Sequence, residues 1–290
     1  MLDKVQLRPV EKYELKDLKD LLEPYLPENV AVHNVVSMMH AGLLPATKAF
    51  LPVPPSKPHV VILSYLEWQQ SQPIQDHTYL FCCLESDLKL LEDCLRTLDW
   101  SKRMTFGAVP RSLWDTIEKI SQEMGASYKL ESHVEKLEYV WERGLALTWD
   151  GRIPDDLEIK PLSIEHAEII NDRWKYKGPN TLTRIKDIAK SACGFGIFNK
   201  TSDELVGWYV MHSHGSQGIL HVTEPHRGRG LASLLVRWVS RRVAAAWGLL
   251  PYAIIDENNP ASFTLFAKIG FRRLGSCQWI VCTPAAESAS

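Results

Sequence analysis

The sequence predicts a mixed α/β protein built as two domains. Three observations lead there. Apolar residues recur at helical spacing in some stretches and as short β-prone runs in others, and the two kinds alternate along the chain. A cluster of turn and breaker residues, Thr148-Trp149-Asp150-Gly151-Arg152-Ile153-Pro154-Asp155-Asp156, interrupts that alternation near the middle, and Leu157, Ile159 and Leu162 then begin a fresh pattern. The length of 290 residues suits two ordinary domains. We place them at 1–150 and 157–290.

Composition narrows the functional classes. With 45% hydrophobic and 23% charged residues, the chain can bury a core of its own, which excludes a disordered or fibrous protein. A net charge of −2 supplies no global basic field, so nucleic acid is not an expected partner, and any anion site must be local. The longest weakly charged stretch, Val243 to Ile255, contains Gly248 and Pro251 and is shorter than the ~18–20 apolar residues of a bilayer span. No membrane partner is expected. The start, Met1 to Pro9, has neither an apolar signal core nor the look of a transit peptide, which makes the cytoplasm the expected compartment. The six cysteines (Cys82, Cys83, Cys94, Cys193, Cys277, Cys282) are scattered without a ligand spacing, so neither zinc nor a disulfide framework is expected. Buried free thiols are the reading.

In the first half, Leu15, Leu18 and Leu22 share one helical face, and Leu88, Leu91 and Leu95 share another behind a Ser86/Asp87 start. Val60 to Leu63 and Thr78 to Cys83 read as strands joined by an exposed loop, the first preceded by the proline-rich turn Pro52 to Pro58. Residues 1 to 147 carry no phosphate loop, paired-carboxylate motif or nucleophile elbow. The second half opens with a helix from Ser163 to about Trp174. Strands follow over Gly194–Phe198, Leu205–Met211 and Gly218–Thr223, the last two joined through the turn His214-Gly215-Ser216.

Chemistry concentrates after the third of these strands. Pro225-His226-Arg227-Gly228-Arg229-Gly230 feeds straight into a long amphipathic helix from Leu231 to Trp247. A strand, a glycine-rich loop and a helix N-terminus in succession point unpaired backbone N–H groups at one spot, which is a site for an anion and above all for phosphate. Gly228 and Gly230 let backbone approach the ligand, Ala232 keeps the first turn uncluttered, and Arg227 and Arg229 add charge. No Gly-Lys-Ser/Thr follows, which excludes a Walker loop, and the dinucleotide fingerprint is not matched.

Arg227 to Ala232 resembles the R/Q-x-x-G-x-G/A signature of the GNAT superfamily of acyl-CoA-dependent N-acyltransferases. Downstream, Asn259-Pro260-Ala261-Ser262-Phe263-Thr264-Leu265-Phe266-Ala267-Lys268-Ile269-Gly270-Phe271 is similar to that family's N-x-x-S-x-x-L-Y-x-K-x-G-F segment. Leu157 to Leu162 looks like the first GNAT strand and Ala167 to Trp174 like the first helix. Ile169 to Tyr176, followed by Gly178, is similar to the glycine N-acyltransferases, as is the front half around Leu98-Asp99-Trp100. The resemblance implies an N-terminal GNAT-like α/β domain and a C-terminal GNAT domain whose central strand splays from its neighbour. It also implies acyl-CoA or acetyl-CoA as co-substrate and a small amine, such as glycine, as acceptor. Main-chain groups at Val222 and Thr223 would hold the pantetheine arm, and the loop Arg227, Gly228, Arg229, Gly230, Leu231 and Ala232 the pyrophosphate. Asn259 and Ser262 would meet the same arm, with Phe263 and Phe266 walling the channel, although their i, i+3 spacing also suits core packing.

Two departures bear on mechanism. A primary amine with pKa roughly 10 is neutral in only about one part in a thousand at pH 7, so a base should help. Many members of the superfamily carry Glu early on the central strand, where this chain has His214-Gly215-Ser216-Gln217-Gly218, and Phe266 stands where a Tyr often protonates the leaving thiolate. His221 is the first candidate base, with His212 and His214 next. His212 and His214 place two imidazoles on one strand face without a third ligand, so no metal is assigned. Glu224, beside the phosphate loop, reads as ordering the turn. A catalytically degenerate GNAT protein that binds acyl-CoA without turnover is the alternative. Acylation of a histone or another protein is a third reading, for which the chain has no chromatin-reading motif.

Overall fold

A computed structural model describes residues 5–53, 59–66, 77–178 and 180–285. Residues 1–4, most of the proline-rich turn (54–58), the loop expected between the two first-half strands (67–76) and residues 286–290 lie outside that set. The chain forms two compact units. The first holds the described residues up to Leu137 together with those from Gly275 onward, and the second holds Glu138–Leu274.

In the first unit β1 (Gln6–Pro9) leads to α1 (Leu15–Leu22) and α2 (Val30–His40). Then come β2 (Lys48–Val53), β3 (Val60–Leu66), β4 (His77–Cys83), α3 (Leu88–Arg96), β5 (Met104–Pro110), α4 (Trp114–Glu123) and β6 (Ala126–Leu130). The expected face of α1, Leu15, Leu18 and Leu22, is buried. On α3 the expectation is half met, because Leu91 and Leu95 are buried with Leu90 and Cys94 while Leu88 is exposed. The cause is the cap. Asp87 Oδ1 accepts the Leu90 N–H at 3.1 Å, which sets Leu88 in the first turn on the solvent side. The unit's strands run β1-β2-β3-β4-β5 and then the last strand of the chain, which also carries β6. Phe106, Phe81, Trp100, Ile117 and Ile280 lie in its core.

The second unit contains most of β7 (Lys136–Val140), α5 (Arg143–Thr148), β8 (Leu157–Pro161), α6 (Ala167–Arg173), α7 (Thr181–Lys190), β9 (Gly194–Asn199) and β10 (Leu205–Met211). β11 (Gln217–Val222), α8 (Leu231–Trp247), β12 (Tyr252–Asp256) and α9 (Pro260–Ile269) follow, and β13 (Arg272–Pro284) leaves this unit and ends in the first. The sheet order is β7-β12-β11-β10-β9-β8. Two of these bounds differ from a division near residue 150. Residues 138–148 group with the second unit because the Trp141 N–H donates to Pro251 O at 2.9 Å and α5 packs on α8. Residues 275–284 group with the first because β13 pairs antiparallel with β5 and β6.

The expected helix from Leu231 to Trp247 is observed with those ends, and each expected second-half strand lies within a residue of its position. All six cysteines are free, and all but half-buried Cys83 are buried. Among the described residues no helix is long and apolar enough to cross a membrane.

Candidate functional site

β11 is poorly held on one side. Toward β10 it is registered from Gly207↔Val222 to Met211↔Gln217, with a shift between Trp208 and Val210. Toward β12, a parallel neighbour, it is registered at Gln217↔Ala253 alone. The strands therefore part beyond Gln217. Burial records the gap, since all seven residues of β10 are buried whereas β11 is only half-buried after Gln217. The register shift is a bulge at Ile219, whose φ is +51°, and it leaves one residue of β11 without a partner on β10.

A cleft of about 300 Å³ follows this parting. β11 lines it from Gln217 to His221, opposite Ala253 to Asp256 of β12. Trp208 and Tyr209 of β10, the stretch Arg173 to Tyr176 after α6, and Asn259, Ser262 and Phe266 at the start of α9 complete the walls. Ser262 and Phe266, four residues apart, share a helical face. Phe263 does not join them, because it is turned onto Tyr139, with ring centroids 6.0 Å apart. Its i, i+3 spacing with Phe266 allowed either wall or core, and this ring contact is of the packing kind. Phe266 is buried against Phe271 and Tyr209, so it is both core and wall.

At the outer end of β11 the main chain is already committed in part. The Thr223 N–H donates to Val206 O at 2.8 Å, and Thr223 O accepts from the His226 N–H at 3.0 Å. The Thr223 N–H is thus spent, and its carbonyl, which has a second lone pair, is the main-chain group it can still offer a ligand. Val222 lies opposite Gly207, and its carbonyl accepts from Arg227 Nε at 3.1 Å. Arg227 also faces Glu224 at 3.6 Å, and Arg229 pairs with Asp156 at 3.0 Å. These exposed contacts hold the loop weakly.

The loop ends in Gly230, which is the N-cap of α8 at φ +76° and supplies no side-chain hydrogen bond to the helix. The first N–H groups of α8 therefore point outward unspent. A Cβ at Gly228 or Gly230 would meet nothing within 4 Å, so the space over the helix end is open. Leu231 turns its side chain into the core and Ala232 is half-buried, leaving only their N–H groups to act. The arrangement fits a phosphate group.

His221 lies on the cleft. Its ring stacks on Trp208 with centroids 4.5 Å apart and planes 20° from parallel. Burial first, and then the cations of Arg227 and Arg173, lower its pKa below the ordinary imidazole value, so at neutral pH the ring is unprotonated and can accept a proton. His212 and His214 do not line the cleft. They stack on each other at 4.8 Å, and burial together with Arg184 lowers both, His214 to about 3. His214 Nε2 and Ser216 Oγ lie 2.9 Å apart, and a Cβ at Gly218 would clash with His212 Nε2, so the pair is packed structure. Among the described residues no group of three or more His, Cys, Asp or Glu could hold a metal.

Sequence reasoning missed Arg173, Trp174, Tyr176, Trp208, Tyr209 and Gln217. The one local signal was Gly218 inside a strand, which marks a bulge or a close approach.

Comparison with solved structures places this geometry. A Drosophila protein from a structural genomics consortium is similar over 96% of this chain and 98% of its own, with a TM-score of 0.74 and 19% identity. The glucosamine N-acetyltransferase region of a fungal multi-domain β-N-acetylglucosaminidase, described as GCN5-related, matches 96% of this chain and 38% of that one at a TM-score of 0.50 and 10% identity. The fold is that of the GNAT superfamily. A Pyrococcus horikoshii protein described as a candidate acetyltransferase shares this GNAT fold over 99% of this chain and 92% of its own, at a TM-score of 0.51 and 10% identity. Residues 194–280, from the start of β9 into β13, match the family model described as FR47-like protein. No curated protein matches.

Proposed function

We propose that the protein is an acyl-CoA-dependent N-acyltransferase that moves an acyl group from CoA to a small primary amine, most simply an amino acid such as glycine. The observation that carries this reading is the pairing of a parted β11/β12 edge with an uncapped, glycine-led helix N-terminus at its outer end. The pyrophosphate of CoA would lie over Gly228, Gly230 and the first N–H groups of α8. Its pantetheine arm would run inward along Val222 and past Asn259, whose Oδ1 caps α9 through the Ser262 N–H at 3.2 Å and whose Nδ2 remains to donate. The thioester would then lie by the bulge at Ile219.

The acceptor would approach from the Trp208 face, where His221 takes the proton from the attacking amine. The amine nitrogen bonds to the thioester carbon, and the carbon–sulfur bond breaks to release CoA thiolate. Arg173, which makes no ion pair among the described residues, supports an acceptor with a carboxylate, hence an amino acid. A base of this kind adds ~10²–10⁴ to the rate, and holding both reactants together supplies as much as ~7–11 kcal/mol.

Phe266 in place of a phenol favours one further reading, a protein that binds acyl-CoA without turnover. Mass-spectrometric assay of the purified chain with a panel of acyl-CoAs against glycine, other amino acids and simple amines separates the two. Acylated amine and free CoA in equal amounts are expected, whereas CoA binding with no product from any pair would support the non-catalytic reading.

A further inference from the structure

Two hydrogen-bond donors at the inner end of the cleft have nothing to donate to among the described residues. Tyr209 is 0% and Gln217 2% exposed, and neither the Tyr209 hydroxyl nor Gln217 Nε2 has a partner there. Both residues line the cleft. The Gln217 amide is oriented, because its Oε1 accepts from the Ser240 hydroxyl at 3.1 Å and so turns Nε2 the other way. Gln217 lies opposite Met211, two residues along β10 from Tyr209, which puts both side chains on the same face of the sheet. That is the face of α8 and α9, where the Tyr209 ring meets Phe266. The face of His221 and Trp208 is the other one.

A buried donor left unpaired forfeits its hydration without replacement and is costly. Two on one face, opening on a cleft, make a polar spot that a ligand oxygen would satisfy. The position indicates which part of the ligand. If CoA enters at Gly230, as the proposed function requires, the acyl group lies at the end of the arm farthest from α8's N-terminus, toward Gln217, where β11 and β12 rejoin. The charge balance indicates which oxygen. Asp256, at the outer end of β12, is engaged by the Tyr176 hydroxyl and faces Lys175 at 4.0 Å, and Arg173 lies by His221. Among the described residues that line the cleft, no cation accompanies Tyr209 and Gln217 on their face, so a carboxylate there would be buried without a counter-charge.

We propose that Tyr209 and Gln217 are specificity-determining residues that select acyl groups carrying a neutral acceptor oxygen on the chain, such as a keto oxygen, over plain alkyl chains of the same length. The inference rests on the acyl-CoA reading and is tested so that the two can fail separately. Calorimetry of the full chain, and of Tyr209→Phe and Gln217→Met, measures affinity for acetoacetyl-CoA, butyryl-CoA and CoA itself. Phe preserves the ring and its packing, so the first variant is expected to fold.

In the native chain acetoacetyl-CoA should bind at least ~10-fold more tightly than butyryl-CoA, because the alkyl chain leaves both donors unpaired. The ratio should fall to near one in Tyr209→Phe and narrow in Gln217→Met, with CoA affinity unchanged in all three. Equal affinity for the two thioesters in the native chain, or a ratio that survives both substitutions, overturns the inference and leaves the CoA site standing. Equal weakening of both thioesters in Tyr209→Phe also overturns it, by placing the donors on the thioester carbonyl. Failure of CoA itself to bind the native chain removes the functional reading and the inference with it.

Discussion

Each unit contains a strand, a turn, a helix and a second strand parallel to the first, and the two versions differ in the features that decide whether a ligand can enter. In the first unit β4 and β5 are registered over His77↔Met104, Thr78↔Thr105 and Tyr79↔Phe106, with Phe106 set among the rings of Tyr79, Phe81 and Trp100. In the second, β11 and β12 share one registered pair. The helix starts differ as well. α3 carries its own anion, since the Asp87 carboxylate caps Leu90 N–H and also faces His59 at 3.4 Å, whereas α8 begins at Gly230 with no side-chain cap and two arginines before it. The same topology is thus sealed by aromatic packing and an acidic cap in one place, and opened by a bulge and a glycine in the other. A ligand site here is a matter of what the strand pair and helix end leave unspent.

The largest expected effect comes from sealing the open version. Gly230→Glu places a β-carbon at φ +76° and a carboxylate at the helix start, imitating Asp87 of α3. CoA binding should weaken by ~100-fold or more, through lost backbone approach and like-charge repulsion. Circular dichroism would confirm that the variant is folded. Arg227→Ala should cost less, about 1–3 kcal/mol of CoA affinity, if its guanidinium leaves Val222 O for a phosphate.

On turnover rather than binding, His221→Ala should have an effect at least as large, lowering kcat/KM at pH 7 by ~10²–10⁴ and by much less at pH 9, where more of the amine is already neutral. Because burial and nearby cations lower the His221 pKa, the base is ready across the neutral range, so the native enzyme should vary little with pH there while His221→Ala still climbs with the neutral amine. Equal losses at the two pH values would argue for a packing role on Trp208.

Acidification should distinguish the second unit. His212 and His214 are held neutral in the folded chain and titrate near 6.5 once unfolded, so their contribution to stability is complete above that value and declines as pH falls toward about 3 for His214. For His214 that is on the order of one kcal/mol per pH unit over the window. Urea titrations at pH 7.5 and 5.5 check this, and His214→Gln should flatten the difference. The smallest effect is on the sealed side. Asp87→Ala removes the cap of α3, for about 0.5–2 kcal/mol of stability, and should leave CoA affinity unchanged.

Much of this was legible in the sequence for local reasons. Arg227 to Gly230 and the apolar periodicity after them define a helix start without reference to anything distant, and α8 begins and ends where the pattern places it. Asn259 also caps α9, a role the motif alone did not assign. The parting of β11 was expected from the resemblance, and Gly218 hinted at the bulge. What could not be read depends on residues brought together from far apart. Tyr209 and Gln217 each look like ordinary strand positions, and only the β10/β11 register and the bond to Ser240 turn them into donors facing a cleft. Leu88 misled for a related reason, since periodicity defines a helix face only to within a residue, and the cap decides the rest. The grouping of β13 with the first unit was hidden because its partners, β5 and β6, lie more than a hundred residues upstream.

The stoichiometry of CoA binding tests the contrast between the open and the sealed version. Calorimetric titration of the full chain should give one CoA per chain, with binding lost in Gly230→Glu and retained in Asp87→Ala. Two CoA molecules per chain, or undiminished binding in a folded Gly230→Glu protein, would contradict the assignment of the site to β11, β12 and the start of α8.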